Sequence, residues 1–158
     1  MVEGASFRFG RGRQGSPQTL TAAGQKHGFE VQVVPPVRVD LGGHPADTVI
    51  SSSLVRHLVG SGTVDQAAVC LGRPYALLGR VGQGESRGRT LGFATANLTL
   101  PEPQLIPAEG VYAGRAMVGN QAYAAALSIG HTPTFGGERQ LVEAHLLDFA
   151  GDLYNRDL

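Results

Sequence analysis

Residues 110–129 read GVYAGRAMVGNQAYAAALSI, and this stretch decides the fold. At its centre Val118-Gly119-Asn120-Gln121 carries a two-residue Gly-Asn loop of the kind that suits a primed hairpin turn. The spacing predicts one strand over 110–118 and a second over 121–129. Two more candidate strands lie outside this pair, at about 75–83 and 140–148. Several short strands at such intervals suggest an antiparallel barrel. Closing a small sheet into a barrel removes exposed strand edges. A long loop with Gly84, Gly88 and Gly92 separates the candidate strand at 75–83 from the hairpin.

Upstream the pattern changes. Ser16 before Pro17 has the form of an N-cap followed by proline at the first helical position, and Gly28 stands where a terminating glycine belongs. A helix over about 17–27 follows, with a short strand from Ser6 to Phe9 ahead of the glycines at 10–15. Residues 29–34 alternate as a strand that Pro35-Pro36 ends. Ser51 to Ser53 opens a second helix. Thr63-Val64-Asp65-Gln66 has the form of a capping box opening a third, which Gly72 closes. Gly72-Arg73-Pro74 marks a boundary, giving an α/β segment at 1–72 and a strand-rich segment at 73–158. The class is α+β.

Composition narrows the function. With 42% apolar and 16% charged residues in 158, the chain is suited to a packed core. No apolar run is long enough to span a bilayer, so no membrane partner is expected. Thirteen basic residues balance thirteen acidic ones, so no bulk field gathers polyanions. Lys26 is the single lysine and no G-x-x-x-x-G-K-[ST] motif occurs, which excludes a P-loop enzyme. One cysteine, Cys70, excludes an internal disulfide and a cysteine-based zinc site. The N-terminus has no signal-peptide pattern, and a cytoplasmic protein is expected.

Four features bear on chemistry. Gly10-Arg11-Gly12-Arg13-Gln14-Gly15 matches a dinucleotide fingerprint, but Glu30 falls near the start of the following strand rather than at its end. Arginines among glycines at 8–13 and 80–89 have the look of an RNA-binding arm. The strongly patterned flanks and 6% aromatic content favour solvated turns, with no nucleic acid as partner. Residues 79–97, GRVGQGESRGRTLGFATAN, combine glycines whose backbone amides can approach phosphate with Arg87 and Arg89 to neutralise charge. Extended alternation there puts Thr95 and Asn97 on one side, an oxygen pair suited to Mg²⁺, or else a pair that satisfies turn backbone. Lastly, residues 141–148 place Glu143 and His145 on one strand face with Leu141 and Leu147. Glu143 is either a general base or a rim carboxylate facing water, and His145 reads as a packed histidine.

Taken together, several of these elements resemble one family. GRTLGFATAN is similar to the G-[FI]-P-T-A-N hallmark of riboflavin kinases. Gly72-Arg73-Pro74-Tyr75, Gly110-Val111-Tyr112-Ala113-Gly114 and Ile129 to Gly136 resemble segments of the bacterial bifunctional riboflavin kinase/FAD synthetases. So do Glu143 to Phe149 and Gly151-Asp152-Leu153-Tyr154. Phe7-Arg8-Phe9-Gly10 with Arg13 and Gly15, and Ile50 to Arg56, resemble parts of the adenylyltransferase half. The resemblance covers nearly the whole chain and displaces the dinucleotide reading.

It implies a Greek-key β-barrel of the riboflavin kinase type, incomplete at its C-terminal end, after a partial FMN adenylyltransferase-like remnant. It implies phosphoryl transfer from ATP to riboflavin, giving FMN, with Mg²⁺. Glu143 would be the catalytic base and Thr95 and Asn97 the metal ligands. Gly84, Gly88 and Arg89, with Thr95, would line the phosphate site, and Thr132 would lie along the flavin. The partners implied are small molecules. Three departures qualify this. The family's H-x-G-H loop is absent, so loss of FAD synthesis is expected; Ala94 stands in place of proline before Thr95; and the chain stops at Leu158, ahead of the family's final strand and helix. The alternative is a non-catalytic fragment that binds ADP or flavin.

Overall fold

The computed structural model describes residues 1–82, 95–101, 103–134 and 137–158. They form two compact units, Met1–Ser51 and Ser52–Leu158.

In the first unit, β1 (Val2–Gly4) and β2 (Gln32–Val34) pair in parallel, with Val2 opposite Gln32. The crossover between them contains α1 (Pro17–His27). Ser16 caps α1 by accepting from the Thr19 amide at 3.4 Å, and Gly28 ends it at φ 74°. Gly24 sits mid-helix because an added Cβ would lie 2.4 Å from the Phe29 carbonyl oxygen. The glycine-rich stretch expected to follow a strand is instead a 3-10 turn at Arg11–Arg13, closed by mutual backbone bonds between Phe9 and Gly15. The expected strand at Ser6–Phe9 is reduced to that single bridge. A short antiparallel pair, β3 (Arg38–Val39) and β4 (Thr48–Val49), carries the Arg38–Asp47 ion pair at 3.0 Å.

The second unit opens with α2 (Ser52–Gly60) and α3 (Val64–Leu71), which bury Leu58, Val59 and Ala67. The expected capping box does not close through Thr63. Its hydroxyl donates to the Leu58 carbonyl at 3.1 Å, which seals the end of α2 instead of the start of α3. Gly62, at φ 81°, lies under Tyr112, whose hydroxyl donates to the Ala108 carbonyl at 2.6 Å.

Five strands follow: β5 (Arg80–Gly82), β6 (Thr95–Thr99), β7 (Gly110–Val118), β8 (Gln121–Thr134) and β9 (Gly137–Leu146). They form an antiparallel sheet in the order β5-β6-β9-β8-β7. Residues 155–158 run antiparallel along the free side of β5, with the Val81 amide donating to the Arg156 carbonyl at 2.9 Å. The hairpin expected at 118–121 is present, with Val118 opposite Gln121 and Gly119 at φ 60°.

In the first unit β2 starts at Gln32 rather than 29, and in this sheet three strands differ in length from the sequence-based expectation. β5 begins at Arg80 rather than 75 because the Gln104 carboxamide engages both backbone groups of Leu78, at 2.9 and 2.7 Å, in place of a strand partner. β8 runs past Gly130 and Pro133 to Thr134. Pro133 is tolerated because β7 no longer flanks β8 at that point, so the missing N–H removes no ladder bond. β9 accordingly starts at Gly137 and ends two residues early, at Leu146.

The sheet has a dry face and an open face. Val81, Ala96, Val142, Ala144, Leu146, Ala125, Ile129 and Ala116 are buried, and all project from the dry face by strand alternation. Phe149, Leu153 and Leu158 pack there too, Phe149 edge-on to Tyr123 at 5.1 Å.

Candidate active site

The two central strands β6 and β9 carry the candidate residues on the open face. Thr95 pairs with His145 and Asn97 with Glu143, while the intervening pair, Ala96 and Ala144, faces the core. Ala144 is 1% exposed, so the chain beneath the site is fully packed. Thr95 is exposed; Asn97, Glu143 and His145 are half-buried.

The hydrogen-bond phase fixes how close these side chains come. The Leu147 amide donates to the Ala124 carbonyl at 2.8 Å, so odd residues of β9 aim their backbone groups at β8. Glu143 and His145 therefore face β6 through non-hydrogen-bonded pairs, the closer kind, with Cα atoms about 4.5 Å apart. The same phase appears independently at the sheet edge. Val81 bonds to residues 155 and 156, which leaves Arg80 and Gly82 to bond β6. The result is two close cross-strand pairs, Asn97–Glu143 and Thr95–His145, side by side on one face.

The other flank of this group is lined by small side chains. Glu143 pairs with Ser128 on β8, His145 with Ala126 and Leu141 with Gly130. Ser128, an exposed residue, thus stands directly across the ladder from Glu143. The ion pairs among the described residues, Arg38–Asp47, Arg80–Asp157 and His131–Glu109, do not involve Glu143. Arg80, on the same face opposite Thr99, is exposed and pairs with Asp157 at 3.6 Å.

Of the residues expected from sequence, Thr95, Asn97 and Glu143 come together. Thr132 lies on β8, paired with Arg139, four residues beyond Ser128 and so roughly 13 Å along the strand. Gly84, Gly88 and Arg89, like Ala94, lie outside the described residues. Sequence reasoning missed Ser128 and the pairing of His145 with Thr95. Alternation along β8 was a signal for the first; the second required the register between strands nearly fifty residues apart.

Thr95, Asn97 and Glu143 offer a hydroxyl, a carboxamide oxygen and a carboxylate, three oxygen donors, with the His145 imidazole beside them. Among the described residues no group of three His, Cys, Asp or Glu side chains is placed to hold a metal. An oxygen set this sparse suits a hard cation that keeps its waters and binds together with a phosphate ligand.

A sequence-family profile described as "Flavokinase: Riboflavin kinase" matches residues 71–158, which include β6 and β9. The chain belongs to the riboflavin kinase family. It is 40% identical over 159 residues to the bifunctional riboflavin kinase/FMN adenylyltransferase of Escherichia coli (strain K12), covering all of this chain and 49% of that protein. The protein of the same description from Pseudomonas fluorescens is 37% identical over 156 residues, covering 98% of this chain and 48% of that one. That of Bacillus subtilis (strain 168) is 41% identical over 111 residues, or 68% and 35%. The chain spans about half the length, or less, of these curated relatives. A solved structure described as a macrolide-efflux protein from Streptococcus pneumoniae superposes with a TM-score of 0.83 at 34% identity, over 98% of this chain and 47% of that one. Among the described residues no helix is long and apolar enough to cross a membrane.

Proposed function

We propose that this chain phosphorylates riboflavin at its terminal ribityl hydroxyl, using ATP, to give FMN and ADP. The close pairing of Asn97 with Glu143, in a segment that matches the family profile, carries this reading. The hydroxyl oxygen attacks the γ-phosphorus, the bond to the β-phosphate oxygen breaks, and the hydroxyl proton passes to Glu143. Such a transfer is catalysed mainly by positioning and charge stabilisation. Glu143 stands on a packed strand, which restricts its motion. Thr95 and Asn97 are assigned as the Mg²⁺ ligands beside it. Held there, Mg²⁺ would supply charge neutralisation to the ATP phosphates. Gly84, Gly88 and Arg89 are assigned to the phosphates and Thr132 to the flavin.

The finer fold reading is a Greek-key barrel. It is supported by the return of β9 to the side of β6 after the β7-β8 hairpin. The parallel β1-α1-β2 unit supports reading the N-terminal part, residues 1–72, as a nucleotidyltransferase remnant preceding a kinase segment at 73–158. A cytoplasmic location completes the reading, with ATP and riboflavin as partners.

Single-turnover FMN formation tests the reaction. Glu143→Gln is expected to slow it by about 10²–10⁴-fold while leaving ATP binding intact. A parent chain that binds ADP or flavin without forming FMN identifies a passive binder. A Glu143→Gln protein with the parent rate removes Glu143 as the base.

A further inference from the structure

We infer that riboflavin lays its ribityl chain along β8: the Ser128 hydroxyl binds the 4′-hydroxyl, next to the terminal one, and Gly130 is the bare floor beneath the chain beyond it. This rests on the proposed roles of Glu143, Thr95 and Asn97. One ladder row crosses the open face from Asn97 on β6 through Glu143 on β9 and Ser128 on β8 to Val111 on β7. In phosphoryl transfer the attacking and leaving oxygens lie roughly in line through phosphorus. With the phosphates over Thr95 and Asn97, the alcohol comes to Glu143 from the opposite side, over β8. Ser128 is the first side chain it meets there. Glu143 and Ser128 form a hydrogen-bonded ladder pair, with Cα atoms about 5.5 Å apart and side chains on one face. Two neighbouring hydroxyls of a polyol can each take one of these side chains, since a serine hydroxyl both donates and accepts. Ser128 is exposed, and its other neighbours on this face, Ala126, Gly130 and Val111, carry no polar side chain. Among the described residues no hydrogen bond or ion pair engages the side chain of Ser128 or Glu143, so both are open to a ligand.

Gly130 is the second observation. It lies two residues beyond Ser128 on the same face, opposite Leu141. The fold does not ask for glycine there. Its φ is outside the left-handed region, and an added Cβ would meet nothing within 4 Å. A strand glycine that neither backbone strain nor packing requires marks a place where a ligand comes close to the backbone.

The test uses the full chain and steady-state FMN formation from riboflavin, set against turnover of 4′-deoxyriboflavin, with thermal melts that check folding. Ser128→Ala is expected to lower kcat/KM for riboflavin by about 3–10-fold, the worth of one net hydrogen bond. That loss is expected to vanish with 4′-deoxyriboflavin, which has nothing for the hydroxyl to hold. Ser128→Thr, which keeps a hydroxyl, is expected to recover most of it. Gly130→Ala is expected to melt with the parent and to raise the KM for riboflavin without raising that for ATP. Equal kcat/KM for riboflavin in parent and Ser128→Ala overturns the inference. So does an equal loss with both flavins, which a merely structural role would give, and so does a Gly130→Ala protein with the parent KM for riboflavin. Should 4′-deoxyriboflavin turn over too slowly to compare, calorimetric binding of the two flavins replaces the rates, with the same outcomes deciding. A parent chain that forms no FMN defeats the phosphoryl-transfer reading itself. A parent that forms it, with a Ser128→Ala protein that matches it on both flavins, defeats this inference alone.

Discussion

A disulfide placed across the site measures the register on which its chemistry depends. In a Cys70→Ala background, Asn97→Cys with Glu143→Cys puts two thiols at a non-hydrogen-bonded cross-strand pair. The Cα separation of about 4.5 Å at such a pair falls within the range disulfides span. Bridging closes a loop of about 46 residues, which by chain entropy stabilises the fold by about 4 kcal/mol at most. For a chain of this length that corresponds to a Tm rise of roughly 8–16 °C in the oxidised form over the reduced form of the same variant. Native-state strain would subtract from this gain. The assay is thiol titration after glutathione oxidation, followed by melts with and without reductant. Leu98→Cys with Glu143→Cys is the control, since Leu98 projects from the opposite face and should not bridge. A site variant that stays reduced, or a control that bridges equally well, refutes the register and with it the adjacency of Asn97 and Glu143.

Other outcomes follow from particular contacts. Gly62→Ala should cost about 1.5–3.5 kcal/mol, combining a left-handed backbone penalty with loss of the Tyr112 hydrogen bond. In a Tyr112→Phe background chemical denaturation should show that cost smaller by about 0.5–1.5 kcal/mol, because an added Cβ would then no longer meet the hydroxyl 2.8 Å away. Ser16→Ala should destabilise α1 by about 1 kcal/mol, read as faster amide exchange in the first turn of α1 with the sheet amides unchanged.

Local chemistry was legible in the sequence wherever it acts over a few residues. Ser16, Gly28 and the Gly119-Asn120 loop each set a boundary, and the structure keeps all three. Alternation likewise put Thr95 with Asn97 and Glu143 with His145. What failed depended on partners distant in the chain. Residues 75–79 do not form a strand because Gln104 takes the Leu78 backbone. β8 outlasts Gly130 and Pro133 because β7 has already ended. Thr63 serves the preceding helix because the Leu58 carbonyl lies within its reach. For the site, each strand's face could be read alone, but which face met which followed from the β6–β9 pairing.

The interleaving of dry and open residues along β9 constrains how this segment can drift. Val142, Ala144 and Leu146 tolerate one class of replacement and Glu143 and His145 another, so point changes on either set proceed independently. Loss or gain of a single residue within the strand is a different event. It would rotate every later side chain by half a turn, presenting leucine and valine to water and the carboxylate to the core. Divergence here should therefore accumulate by substitution, with length variation confined to the turns.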